Sequence, residues 1–170
     1  MKTIHVDISS RSSVSQAISE LQNVKKEWQR KADLCSETIA AVLADEINKN
    51  LDEIKETDDL INVKTHSKVY SPNGITATAI GNRVEIYGSE VAFVEFGAGI
   101  THNQGTNNPL SDKVHFDTAI GSYGKGQGNK PYWFIYHNVI SRGTPAGMPI
   151  QKAIETVEPM IPTIVRQVFV

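Results

Sequence analysis

The sequence predicts an α+β fold: a long N-terminal helical region and a C-terminal helix packed on a small, mainly antiparallel β-sheet, with a long Gly-rich loop. Apolar residues spaced by threes and fours run through the first third of the chain and return near its end, as in helices with one buried face. Between them, apolar and polar residues alternate in short runs bounded by turn sequences, which is typical of strands. With 170 residues, 39% hydrophobic and 21% charged, the chain fits a single domain around one core.

The first residues, 1–11, are expected to form a strand or an arm. Ile4, Val6 and Ile8 alternate with His5 and Asp7, which indicates period two. This segment either forms a short strand of the domain or an extended arm that pairs with a neighbouring subunit. It has no apolar region of the kind found in signal peptides, and the chain has no apolar run of membrane-spanning length, so we expect neither feature.

Residues 12–56 are expected to be helical, because no proline or glycine precedes Ser71. One unbroken helix from Ser12 to Lys55 would be about 65 Å long, which is long for a compact domain of this size. We therefore expect a shorter helix and then a longer one, with a break in Gln29–Asp33 and Asp33 as the new N-cap. The alternative is one helix that projects towards a partner. The apolar stripe consists of Val14, Ile18, Leu21, Trp28, Ala32, Cys35, Ile39, Val42, Leu43, Ile47, Leu51 and Ile54.

This stripe has heptad-like spacing, but Lys25 and Glu46 interrupt it. The interruptions favour a core-facing stripe over a two-chain coiled coil. Cys35 is the single cysteine, so no disulfide can form within the chain, and its place in the stripe predicts a buried, inert thiol.

Residues 61–99 are expected to hold three strands and a short helix. The strand candidates are Ile61–Tyr70, Ile75–Ile80 and Arg83–Tyr87. Ser71-Pro-Asn-Gly74 predicts the first turn, and Gly81-Asn82 predicts a tight two-residue hairpin between the last two strands.

The apolar run Val91–Gly99 predicts a short helix that ends at Gly97 in a left-handed conformation. Glu95 is the carboxylate within this run. It can act as a catalytic base, or it can accept hydrogen bonds from backbone amides or pair with an arginine across an interface. The structural role is the favoured interpretation, and the sequence contains no nucleophile elbow that would indicate a hydrolase.

Residues 100–130 form a Gly-rich loop with one candidate strand, Val114–Ile120. The lysines of the loop, Lys125 and Lys130, are not followed by serine or threonine and a helix, so a phosphate-binding loop is not expected. His102, Asp112, His115 and Asp117 lack the spacing of a metal site, and we expect neither metal nor cofactor. The net charge of −2 argues against a protein that binds nucleic acid over most of its surface.

Residues 131–170 should form an aromatic strand over Tyr132–Tyr136, a turn over Arg142–Gly147 and a final helix that begins near Met148 or Pro149. Pro159 and Pro162 should bend or interrupt that helix, because each removes a backbone donor.

Two segments of this chain resemble a known family. Tyr87-Gly-Ser followed by Val91-Ala-Phe-Val-Glu-Phe-Gly-Ala-Gly99 is similar to the "YA-x-[YF]-VE-[FY]-G-[TS]" signature of a tailed-phage morphogenesis family related to the lambda minor tail protein Z. Gly143-Thr-Pro-Ala-Gly147 and the helix after it look like that family's "G-x-PA-x-P[FM]-x-x-x-A" ending. The residues that carry the resemblance, as structural or interface positions, are Tyr87, Phe93, Val94, Glu95, Phe96, Gly97, Trp133, Gly143, Pro145, Ala146, Pro149 and Ala153.

The resemblance implies a structural virion protein of a tailed phage or prophage that completes the tail or joins head to tail. It implies self-association into a ring, contacts with other neck, tail or connector proteins, proximity to the DNA channel without specific nucleic-acid binding, and assembly in the bacterial cytoplasm. Two alternatives remain at this point: a non-viral protein-interaction module built on the long helix, and a hydrolase that uses Glu95.

Overall fold

A computed structural model of the chain describes residues 3–65, 74–88, 91–97, 109–110, 133–135, 139–141 and 146–170. These residues contain both helices and antiparallel strands, so the predicted α+β class is confirmed. The helices are α1 (Arg11–Thr65), α2 (Val91–Phe96), α3 (Pro149–Val157) and α4 (Ile161–Phe169). The strands are β1 (Thr76–Ile80), β2 (Arg83–Tyr87), β3 (Trp133–Ile135) and β4 (Val139–Ser141).

The N-terminal helical region is one helix of 55 residues, α1. The predicted break in Gln29–Asp33 is therefore wrong, and so is Asp33 as a new N-cap; the alternative of a single helix is the one observed. Residues 29–32 are good helix formers, and polarity alone does not end a helix when proline and glycine are absent. An ion pair between Glu27 and Lys31, with Nζ and Oε1 3.9 Å apart, also bridges this turn of the helix.

Helix α1 continues beyond the predicted end at residue 56 and stops at Thr65. The predicted strand over Ile61–Tyr70 is wrong for residues 61–65, and its remainder lies outside the described residues. Glu56-Thr-Asp-Asp59 carries neither proline nor glycine, and β-branched residues such as those at 61 and 63 are tolerated in a helix at a small cost.

Residues 3–7 have no regular secondary structure, so of the two alternatives for this segment, a strand of the domain or an arm, the strand is not formed. Asp7 organises the entry into α1: its Oδ1 accepts from the amide of Ser9 at 2.9 Å and from the Ser9 hydroxyl at 2.6 Å. The amide of Asp7 donates to Ser13 Oγ at 2.9 Å. These bonds turn the chain at residues 8 and 9 and leave the preceding residues as an arm.

Strands β1 and β2 form the predicted hairpin, with Ile80 paired to Arg83 across the two-residue turn. Gly81 has φ +58°, a conformation that its lack of a side chain permits. The register places the alternate residues of both strands on a common apolar face, which lies on α1. The members of this face are Ala77, Ala79, Val84 and Ile86.

Asn48 of α1 holds the outer edge of β1. Its Nδ2 donates to the carbonyl of Ala77 at 2.8 Å, and the Ala77 amide donates to its Oδ1 at 2.8 Å. One side-chain amide thus satisfies the backbone groups that a further strand would otherwise bind.

Strands β3 and β4 form a second antiparallel hairpin, which confirms a strand within the predicted aromatic segment. The Gly-rich loop is represented among the described residues only by 109–110, so the predicted strand Val114–Ile120 lies outside them.

The C-terminal helix begins at Pro149 as predicted, and a 3-10 turn over Glu158–Met160 divides it into α3 and α4. Pro159 lies within that turn and Pro162 lies in the first turn of α4, so the predicted interruption by proline is confirmed. Both helices lie along α1, and α4 ends with the ring of Phe169 5.6 Å from the ring of Trp28.

The core lies where the C-terminal half of α1 meets the first hairpin, α2 and α3. Its buried members are Ala44, Ile47, Leu51, Ile75, Ala77, Val94 and Ala153. Cys35 is also buried, as predicted. The N-terminal part of the apolar stripe is not: Ile18, Leu21 and Trp28 are more than half exposed, so the prediction of a continuous core-facing stripe is wrong there. The N-terminal part of α1 extends beyond the end of α4, which lies beside Trp28.

No helix among the described residues has a stretch long and apolar enough to cross a membrane.

Candidate functional site

The short helix α2 carries the first resemblance motif and is anchored in the core. Val94, Glu95 and Phe96 are buried, and Phe93 is half-buried. Gly97 follows with φ +75°, and its amide donates to the Phe93 carbonyl at 2.9 Å. The predicted helix and its left-handed glycine cap are therefore confirmed.

Helix α3 begins without a cap of its own. Met148, at the N-cap position, has φ +52° and ψ +44° and makes no side-chain capping bond. Pro149 occupies the first turn, where its missing N–H costs nothing. The amides of Ile150 and Gln151 still require acceptors, because the first amides of a helix have no partner within it.

Glu95 supplies those acceptors from a distant point in the chain. The Ile150 amide donates to Glu95 Oε2 at 2.8 Å, and the Gln151 amide donates to Oε1 at 3.1 Å. The residue is only 1% exposed, so the carboxylate faces the positive end of α3 with little water between them. Of the roles considered for Glu95, acceptance from backbone amides is the one that the geometry displays.

Two further hydrogen bonds join the same segments. The Gly147 amide donates to the Val94 carbonyl at 2.8 Å, which ties the chain before α3 to α2. Asn50 of α1 donates from Nδ2 to the Pro149 carbonyl at 3.0 Å and is itself buried. The three helices α1, α2 and α3 therefore meet in one hydrogen-bonded unit, which we call the α2–α3 junction, formed by Asn50, Val94, Glu95, Gly147, Pro149, Ile150 and Gln151.

The neighbours of Gly147 approach it closely. A Cβ atom at this position would lie 2.5 Å from Cδ1 of Ile54 and 3.3 Å from the Val94 carbonyl oxygen. The first distance is below any normal carbon–carbon contact, so a side chain here would displace Ile54 or separate α3 from α2.

A second feature lies between α1 and β2 and shares Ile150 with the α2–α3 junction. An open groove of about 440 Å³ runs between α1 and β2. Its lining is mainly apolar and does not include Glu95. The lining residues are Ser36, Ile39, Ala40, Leu43, Ile47, Asn82, Val84, Ile86 and Ile150. Among the residues that the structure describes, no three histidine, cysteine or acidic side chains gather as a metal site would require.

The other motif residues have varied settings. Ala153 is completely buried and Pro149 is buried, whereas Ala146 is half-buried. Tyr87 is exposed at the end of β2, where its hydroxyl hydrogen-bonds to Glu85, and this bond raises the pKa of the phenol. Trp133 begins β3, while Gly143 and Pro145 lie outside the described residues.

Sequence reasoning did not single out Asn48 and Asn50. The sequence does contain a feature that could have identified them. Asparagine is a weak helix former, and these two lie between the apolar positions Ile47 and Leu51 within a long helix. Such residues are favoured only where their amide groups find specific partners.

No protein-family model matches this chain, and neither a curated protein nor a solved structure matches it. The relation to the tail-completion family thus rests on the two motifs and remains a prediction.

Proposed function

We propose that this protein is a structural virion protein of a tailed phage or prophage, which acts in tail completion or head–tail joining as a ring of identical subunits. The proposal rests on the two segments that resemble the tail-completion family. They are about fifty residues apart in the chain, and they come together in the α2–α3 junction.

The observation that carries the proposal is the set of three hydrogen bonds between the two motifs. Glu95 of the first motif caps the helix that begins in the second, and Val94 accepts from Gly147 of the second motif. Ala153, the last motif residue, is packed into the core with no exposed surface. Motif residues that depend on one another in this way explain why both segments would occur together in a family.

The rest of the architecture suits a ring subunit. A packed body formed by α1, the first hairpin and the C-terminal helices carries an N-terminal arm and an exposed apolar segment of α1. Subunits of closed rings need two different surfaces that fit each other, one on each side of the subunit.

The function is tested in the phage or prophage that encodes this chain. Deleting the reading frame should leave filled heads and separate tails, and supplying the intact chain from a plasmid should restore joined particles. Antibodies against the chain should label the neck in electron micrographs. Normal yields of joined, infectious particles after the deletion would refute the proposal.

A second candidate is a non-viral interaction module built on α1. It is favoured by Leu21 and Trp28, which are 58% and 63% exposed on one side of the helix although they belong to its apolar stripe. The two candidates differ in their partners: neck and tail proteins co-purify with the chain in the first case, and no virion protein does in the second.

A further inference from the structure

Strand β2 has an open hydrogen-bonding edge. In a hairpin closed by a two-residue turn, the paired residues Ile80 and Arg83 bond to each other, and every second pair does likewise. The N–H and C=O groups of Val84 and Ile86 therefore point away from β1, and no backbone hydrogen bond within the described residues uses them. The opposite edge of the hairpin is occupied by Asn48 at Ala77.

The groove of about 440 Å³ lies beside this open edge. Its floor is the apolar face of α1 at Ile39 and Leu43, which are half-buried, and its wall is Val84 and Ile86. A two-stranded sheet is too narrow to cover this part of α1. A third strand added to β2 would lie over the floor and direct every second side chain into the groove.

The N-terminal arm has the pattern that such a strand requires. Ile4, Val6 and Ile8 alternate with polar residues, which would put the three apolar side chains on one face of a strand. Residues 3–7 adopt no secondary structure in the isolated chain; Val6 and Ile8 are 47% and 90% exposed, and Ile4 is half-buried. The arm thus has exposed apolar side chains, and its backbone groups are not paired with a β-strand.

The arm cannot reach the groove of its own subunit. Ser36 is the groove residue nearest to the start of α1 at Arg11, and 25 helical residues at 1.5 Å each put it about 37 Å away. The seven residues from Ile4 to Arg11 span about 25 Å at most when fully extended. Because α1 is one continuous helix, the chain cannot shorten this distance, and the strand must come from another copy.

Charge favours one antiparallel register, in which Asp7 joins the ion pair that Arg83 makes with Glu85 at 2.6 Å. With Val6 opposite Val84, Ile4 lies opposite Ile86 and Asp7 lies opposite Arg83. A shift by two residues in one direction places Asp7 opposite Glu85, where like charges repel. A shift in the other direction moves Asp7 to the turn at Gly81 and removes its pairing with Arg83.

We propose that residues 3–7 of one copy add to β2 of the next copy as a third, antiparallel strand, with Ile4 and Val6 inserted into the groove between α1 and β2. The pairing uses the backbone of Ile4 and Val6 and leaves the Asp7 amide bonded to Ser13 Oγ. Arm and groove are different surfaces, so the contact is heterologous and closes into a ring when the rotation permits. This inference rests on the proposed function, because it names the contact that builds the ring.

A cysteine pair tests the contact between copies. In a Cys35→Ala background, one preparation carries Ile8→Cys and a second carries Asn82→Cys; the two positions adjoin the pair of Asp7 and Arg83 at the end of the proposed strand, and both are exposed. Mixing the two full-length chains under mild oxidation should give a disulfide-linked heterodimer. The control replaces Asn82→Cys by Asp45→Cys, an exposed position on α1 outside the groove. Equal yields from the two mixtures, or no cross-link in either, would overturn the proposal.

A charge in the arm tests the same contact without cysteines. Val6→Asp should weaken self-association by about tenfold or more, because an unpaired carboxylate is costly to bury in an apolar groove. Thr3→Asp adds the same charge at an exposed position of the arm and should change it little. Mass measurement by light scattering and native mass spectrometry reads out association, and circular dichroism confirms that both variants remain helical.

The outcomes separate this inference from the proposed function. If the Val6→Asp chain still restores joined particles with full efficiency and associates as the unmodified chain does, the arm contact is wrong while the role in the neck stands. If the deletion described above leaves joined particles at normal yield, the role in the neck is wrong, and the cysteine experiment still decides whether the copies exchange arms.

Discussion

Replacing Glu95 by alanine should destabilise the protein by about 2–4 kcal/mol. The substitution removes acceptors for the Ile150 and Gln151 amides, which donate at 2.8 and 3.1 Å. A hydrogen bond to a charged group contributes about 1.5–3 kcal/mol when buried, and these donors are only partly buried, so about 1–1.5 kcal/mol each is appropriate. The cavity left by the side chain adds to the loss, while release of the carboxylate from desolvation offsets part of it.

Glu95→Gln makes the test sharper because it keeps the size of the side chain. Glutamine presents one acceptor oxygen and one NH₂ group, so one of the two amides of α3 would face a donor. We expect a loss of about 1–2 kcal/mol, between the unmodified chain and Glu95→Ala.

Urea denaturation followed by circular dichroism at 222 nm measures both losses. In thermal unfolding of a chain of this size, 2–4 kcal/mol corresponds to a fall in Tm of about 4–16 °C. Glu155→Ala is the matched control: it removes an exposed carboxylate of α3 that accepts from the Gln151 side chain, and its effect should stay below about 0.5 kcal/mol. If Glu95→Gln is as stable as the unmodified chain, the carboxylate does not stabilise α3 and this account of the junction is wrong.

Three further substitutions or titrations test other contacts. Gly147→Ala should cost about 1–3 kcal/mol through the clash with Ile54, and the double variant with Ile54→Val, which removes the clashing Cδ1, should cost clearly less than the sum of the two single changes in thermal unfolding. Asn48→Ala should cost about 1–3 kcal/mol and speed amide hydrogen exchange at Ala77, because both backbone groups of that residue lose their partner. The pKa of the Asp7 carboxyl, measured by NMR, should lie below 3.8, because the Ser9 hydroxyl and then the Ser9 amide donate hydrogen bonds to it. The stability that this carboxylate contributes is present above pH 3.8 and is lost as the pH falls through the lowered pKa.

Each of these tests has its own control. Gly74→Ala is strained by a φ of +85° but has no neighbour within 4 Å of the added Cβ, so a second-site change at Ile54 should not rescue it. Asn82→Ala, in the exposed turn of the same hairpin, should leave exchange at Ala77 slow. Ser9→Ala should return the pKa of Asp7 towards 3.8, and an unchanged value would contradict the assigned cause.

The elements that sequence predicted well are those defined by local chemistry. The hairpin was predicted from Gly81-Asn82 and from the alternation on both sides of it, and α2 from an apolar run closed by Gly97. The interruption of the last helix followed from Pro159 and Pro162. In each case a residue with special backbone behaviour lies at the boundary itself, so the information needed is contained within a few residues.

The errors concerned where a helix ends and which surfaces are covered. The polar runs at 29–33 and 56–59 predict breaks in the helix, but polar helix formers continue a helix when no proline or glycine stops it. The periodicity also does not predict that Ile18, Leu21 and Trp28 are exposed, because it identifies an apolar face and not the element that covers that face.

Glu95 shows which information is present in the sequence and which is present in the folded structure. The sequence shows that a carboxylate lies in an apolar run and that a glycine ends that run, and it predicts that a proline opens a later helix. That the carboxylate caps this helix is seen in the folded chain alone, because its partners are the amides of residues 55 and 56 positions further along. Every residue except proline has the same backbone amide, so the sequence does not indicate which amides a distant side chain will bind. A capping bond between distant segments is therefore seen only in the folded chain.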